Sequence, residues 1–97
     1  MRITAEMSLY PLQGTALDKI LSFIHTVTRD ARLEVVVNQL STQVRGELPV
    51  VLEVLGTAMQ RSFDGGGSQA LVVKFLNADL PIAELPVLDR AQDVPGR

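Results

Sequence analysis

Residues Ile3 to Tyr10 alternate without a break: Ile3, Ala5, Met7 and Leu9 point to one side, and Thr4, Glu6, Ser8 and Tyr10 to the other. A period of two sustained this far describes a strand with one buried face. Pro11 has no N–H to give to a ladder, so pairing is expected to stop near it. The second face carries an acid, two hydroxyls and a phenol, groups that bind as well as dissolve. The strand is expected to be central in its sheet, with its polar side forming half of a ligand site.

A chain of 97 residues supports one domain whose core buries about two-thirds of the unfolded surface. With 46% apolar and 21% charged residues, it is not a disordered chain. The net charge is −2 and the basic residues are scattered, which leaves no electrostatic footprint for nucleic acid. The absence of cysteine excludes disulfides, thiolate nucleophiles and CxxC sites, and the single histidine excludes a histidine-rich metal site within one chain. The run from Met1 straight into the strand leaves no room for a signal peptide. No apolar stretch approaches a membrane span. The expectation is a soluble, cytoplasmic protein with no nucleic-acid or membrane partner.

After Gln13-Gly14, Thr15-Ala16-Leu17-Asp18 resembles a capping box with aspartate in place of glutamate. A helix is predicted over 16–29, with Leu17, Ile20, Leu21, Ile24 and Val27 as its apolar stripe and Phe23 on the flank. Leu33 to Asn38 is β-branched and too short for a helix, hence a strand. Thr42 to Glu47 alternates and pairs with it as a hairpin. Leu48-Pro49 opens a second helix, with Val51, Leu52, Leu55, Ala58, Met59 and Phe63 toward the core. Gly65-Gly66-Gly67 stops it, and Gln69 to Leu76 is the last strand. Residues 1–80 therefore form the domain, and 81–97, with three of the five prolines, an extended tail.

The order β-α-β-β-α-β is the ferredoxin-like pattern, an α+β sandwich. It implies a four-stranded antiparallel sheet in the order 4-1-3-2 with both helices on one face. The phase of each strand then assigns the open face: Thr4, Glu6, Ser8 and Tyr10 from the first, Gln43, Arg45 and Glu47 from the third, and Ala70, Val72, Lys74 and Leu76 from the fourth. Val36 and Asn38 join them from the second, with Val35 and Val37 inward; Leu71, Val73 and Phe75 are the inward residues of the fourth. Such a mixture of polar groups and apolar patches is expected to pack on a second copy.

Three stretches in order, Ser8-Leu9-Tyr10-Pro11-Leu12, Ser41-Thr42-Gln43-Val44-Arg45-Gly46-Glu47 and Lys74-Phe75-Leu76-Asn77-Ala78-Asp79-Leu80, resemble the thiamine/hydroxymethylpyrimidine-binding family typified by YkoF. The resemblance spans roughly residues 1–81. Where the family often has an acid this chain has Leu48-Pro49, a departure that concerns helix capping. The resemblance implies a non-catalytic binding protein for thiamine or its pyrimidine moiety, without a cofactor. With one unit per chain, the pairing it implies requires a homodimer or homotetramer through the open face. Thiamine joins an aminopyrimidine to a cationic thiazolium. Ser8, Asn38, Gln43 and Asn77 supply hydrogen bonds for the first; Tyr10 offers a stacking face and Glu6, Glu47 and Asp79 counter-charges for the second.

Blander roles stand beside these. Glu6 and Glu47 with Arg45 and Lys74 make interface ion pairs as readily as a site, Asn77 and Asp79 are turn formers, and His25 is an exposed histidine. The triple glycine follows a helix and precedes a strand, the reverse of a phosphate loop. A purely structural or regulatory oligomer is the alternative to ligand binding; an enzyme is disfavoured because no nucleophile or metal set accompanies the carboxylates. Ser8, Tyr10 and Gln43 fall at one end of the first strand and Asn77 at the other, about 20 Å away at strand rise, so the ligand site is expected to lie between subunits.

Overall fold

Strand β1 (Arg2–Pro11) is hydrogen-bonded on both sides, to β3 (Thr42–Glu47) and to β4 (Gln69–Leu76), in a computed structural model that describes residues 1–14 and 16–85. A fourth strand, β2 (Glu34–Val37), completes an antiparallel sheet in the order β2-β3-β1-β4. Helices α1 (Ala16–Thr28) and α2 (Leu48–Asp64) cover one face. This is the ferredoxin-like α+β fold. Among the described residues no helix is long and apolar enough to cross a membrane. Pairing ends at Pro11, which lies opposite Gln69, with one further bond from Leu12 N–H to Ser68 O. The capping box at Thr15 and the tail beyond Leu85 lie outside the described residues.

The apolar side of β1 (Ile3, Ala5, Met7, Leu9) is buried against Phe23 and Val27 of α1 and Val51, Val54, Leu55 and Ala58 of α2, with Val44 between them. Both helices are turned relative to the predicted stripes. Leu17 and Leu21 are exposed, as are Leu52, Met59 and Phe63 on α2, whereas Val54 is buried. Each residue turns the helix by about 100°, so Leu21, two positions before Phe23, stands about 160° round from it. Leu52 and Met59 stand about 100° from the Val51–Val54–Leu55–Ala58 line. Val37 and Phe75, expected inward, are half exposed because they lie on the two edge strands.

Helix α2 starts without a side-chain cap; instead the Leu48 N–H donates to Met1 O at 2.9 Å, and Pro49 occupies the first turn, where it has no N–H to leave unpaired. Beyond β4 the chain turns back across the open face. Thr4 Oγ1 donates to Ala78 O at 2.7 Å and accepts from Leu80 N–H at 2.9 Å, which buries this threonine on the side predicted to be open. Beside it Asp79 accepts from Arg45 Nε at 2.6 Å and Arg2 Nε at 3.1 Å, and Arg45 also reaches Glu34 at 3.5 Å. The Arg45 hydrogen bond, with that of Arg2, holds the Asp79 carboxyl below the usual carboxylate range.

Two outcomes follow from this packing. A Cβ built on Gly46, which is buried in β3 opposite Ile3, stands 2.6 Å from Leu33 Cδ2 and 3.4 Å from Arg32 O. Gly46→Ala is expected to cost about 1–3 kcal/mol, as other overpacked cores do, measured by chemical denaturation. The Asp79 carboxylate, its pKa depressed by folding, stabilises the fold above its unfolded value and ceases to do so as pH falls through the folded one. Asp79→Asn therefore lowers the melting temperature most near neutral pH. Thermal melts of the two proteins should converge as the pH is lowered through the acid range.

Candidate functional site

The polar side of β1 is set by register. Glu6 lies between Gln43 of β3 and Lys74 of β4, its direct cross-strand partners. Its carboxylate accepts from Lys74 Nζ at 3.2 Å on one oxygen and from Ser41 Oγ at 3.1 Å on the other. Lys74, and then Ser41, hold the Glu6 carboxyl below its usual range, so the group is an anion at neutral pH. Lys74 is mostly in solvent, and an exposed pair of this kind contributes little. The ammonium is a loosely held occupant of the carboxylate.

The returning segment roofs this floor. A cavity of about 180 Å³ is lined by Glu6, Gln43, Lys74 and Leu76 below and by Leu80 and Ile82 above. It adjoins a larger one of about 630 Å³, where residues from Leu80 to Leu85 run past Gln43 to Val36 and Asn38. Both share Gln43, Leu80 and Ile82. A groove therefore crosses the open face from β1 to β2 beneath the chain's own exit, with a carboxylate and an amide on its floor and aliphatic side chains in its roof.

Ser8 and Tyr10 belong elsewhere. β3 pairs with β1 only as far as Met7, so the last turn of the strand pattern has β4 on one side and the β2–β3 loop on the other. There a cavity of about 230 Å³ opens between Ser8, Tyr10, Asn38, Leu40 and the Ile20–Phe23 side of α1, with Ser8 Oγ donating to Leu40 O at 3.1 Å. Asn38 lines this cavity and the groove, and joins them.

The remaining predicted residues are not brought to the groove. Glu47 pairs with the N-terminal amine at 3.3 Å at the far corner of the sheet. Asp79 is taken up by Arg2 and Arg45. Asn77 is exposed in the turn that follows β4. Sequence reasoning missed Leu80 as part of the roof and Thr4 as the anchor that places it. The available signal was the aliphatic pair Leu80 and Ile82 just beyond a strand, without helical period.

No family model matches the chain, and no curated protein matches it. Solved structures share its architecture. A domain of unknown function DUF77 from Bacillus cereus superposes with a TM-score of 0.70 at 22% identity, over 81% of this chain and 78% of that one. A protein from Streptococcus pneumoniae gives 0.75 at 17% identity over 82% of this chain and 90% of its own. A protein from Thermotoga maritima described as a "putative thiamine biosynthesis/salvage protein" gives 0.70 at 12% identity, over 96% of this chain and 98% of that chain. At such identities the likeness is one of fold: the ferredoxin-like unit is common to all of them.

Proposed function

We propose that the chain binds thiamine or its hydroxymethylpyrimidine moiety without transforming it, as a carrier, buffer or sensor, and that it does so in the groove on the open sheet face. The observation that carries this reading is the cross-strand placement of Glu6 beside Gln43 on the floor of a groove roofed by Leu80 and Ile82. A thiazolium cation takes the place of Lys74 on Glu6, the Gln43 amide reads a pyrimidine edge, and the roof excludes water from both. The description of the Thermotoga neighbour and the three YkoF-like stretches support the choice of ligand. The Thr4 hydroxyl that lines the groove is committed to Ala78 O and Leu80 N–H and so is not free as a nucleophile, which favours binding over catalysis.

Ligand at a hundred times its dissociation constant should stabilise the protein by about 2.7 kcal/mol, seen as a melting shift. Hydrogen bonds to a charged group are the stronger ones, so Glu6→Gln should bind more weakly by an order of magnitude or more. Calorimetry giving one affinity for the unmodified protein, Glu6→Gln and Gln43→Ala would exclude this groove.

A second reading rests on Val72 and Leu76, which stay exposed on the same face beside Tyr10. In it the face serves to join copies, with or without a ligand. The proposed assembly is a homodimer or homotetramer, and Val72→Glu should split it by placing an unpaired charge in the contact. Light scattering that returned a monomer for the unmodified chain would end this part of the proposal.

A further inference from the structure

The helical layer carries a second cleft that the sheet-face reading does not use. It runs between α1 and α2, has a volume of about 400 Å³ and is lined by Thr26, Arg29, Arg32, Glu53, Thr57 and Arg61 among others. Arg32 is committed. Its Nε and Nη2 donate to Asp30 at 3.0 and 2.8 Å, and Nη1 to Glu53 at 2.9 Å. One cation thus bridges both acids of the cleft and ties the entry of β2 to α2.

Elsewhere the cations are also spent. Arg2 and Arg45 hold Asp79, Lys74 holds Glu6, and Lys19 donates to Gln13 O and Gly66 O. Among the described residues, Arg29 and Arg61 are the two arginine or lysine side chains left without such a partner, and both line this one cleft. At the end of α1, Arg29 N–H and Thr28 Oγ1 donate to His25 O, and Asp30 N–H to Val27 O. The cleft continues into a smaller one of about 190 Å³, which shares Thr26 and Arg61 and is backed by Phe23 and Ala58.

We infer that this interhelical cleft binds a small phosphomonoester, its phosphate held between Arg29 and Arg61 and its body lying toward Phe23 and Ala58. Paired guanidinium groups recognise phosphate oxygens through charge-assisted, often bidentate bonds. The Thr57 hydroxyl offers a further donor from the same wall. The volume falls within the usual range for small-molecule sites, about 300–1,000 Å³. Carboxylates bind guanidinium less demandingly, and a dianionic head suits two free arginines better than a monoanion. This site lies on the opposite layer from the groove and stands whether or not thiamine binds there.

The test is an amide NMR titration of the full chain at constant ionic strength with inorganic phosphate, glycerol 3-phosphate and chloride as the control anion. Expected is saturable movement of Arg29, Thr57 and Arg61 signals by glycerol 3-phosphate, with a dissociation constant of about 1 mM or tighter. Inorganic phosphate should bind more weakly. Arg29→Gln and Arg61→Gln should each weaken binding about tenfold, while Arg61→Lys retains part of it. Both positions are exposed, so folded variants are expected, checked by their spectra. Equal movement with chloride, tighter binding of inorganic phosphate than of the ester, or unchanged affinity in both glutamine variants would overturn the inference.

Discussion

A sheet with helices on one face only must find another use for the second, and here one threonine decides what that use is. Thr4 Oγ1 gives its proton to Ala78 O and receives that of Leu80, satisfying two backbone groups that would otherwise be covered without partners. Each bond contributes only about 1 kcal/mol net, but leaving the groups unmade would cost more than that. Asp79, gripped by arginines from β1 and β3, lies between the two bonded backbone groups and cannot move independently of them. Pairs this exposed add little stability singly; their consequence is registry. The exit from β4 is fixed across β1, and everything beneath Leu80 and Ile82 becomes a groove rather than a flat surface.

The groove's chemistry follows from a second consequence of register. Glu6 sits opposite Lys74, so the floor has a charge pair before any ligand arrives. Lys74 reaches Glu6 from an edge strand with most of its length in water, and a cation with better contacts can displace it at little cost. A neutral ligand gains nothing from that exchange. On the proposed reading the cationic ring of thiamine, and not the pyrimidine alone, makes full use of Glu6, while the pyrimidine depends on Gln43 and the aliphatic roof.

The topology and the strand faces were legible because β1 and β3 alternate with period two, and a one-residue slip would turn every side chain over. Glu6 and Gln43 could thus be placed on one face from the sequence. The helices were not legible in the same way. Their apolar residues span an arc wider than the sheet can cover, so Leu17–Leu21 and Leu52–Met59–Phe63 compete with the true contact lines, which small Ala58 and buried Phe23 settle through packing. The return of the exit was illegible for another reason. Its order comes from Thr4, 74 residues earlier than Ala78, and nothing local to Asp79-Leu80-Pro81-Ile82 specifies where that chain goes. Ser8 and Tyr10 were separated from Gln43 by the length of β3, which ends its pairing with β1 one residue before Ser8.

That return also divides the open face. Leu80 to Leu85 pass over the β1 centre toward Gln43, Val36 and Asn38, so the half of the face built by β3 and β2 is the half they cover. Tyr10, Val72 and the outer side of Leu76 remain in solvent at the β1–β4 half. A ligand and a second copy would therefore not compete for the same ground. On the proposed reading the covered half receives the small molecule and the uncovered half receives the partner, with Lys74 and Leu76 on the boundary. A charge placed at Val72 then reaches the subunit contact without touching the floor at Glu6, whereas loss of Glu6 empties the groove and leaves the contact surface intact. Binding and assembly become separable properties of one sheet because a single exit segment, anchored by Thr4, covers only half of it.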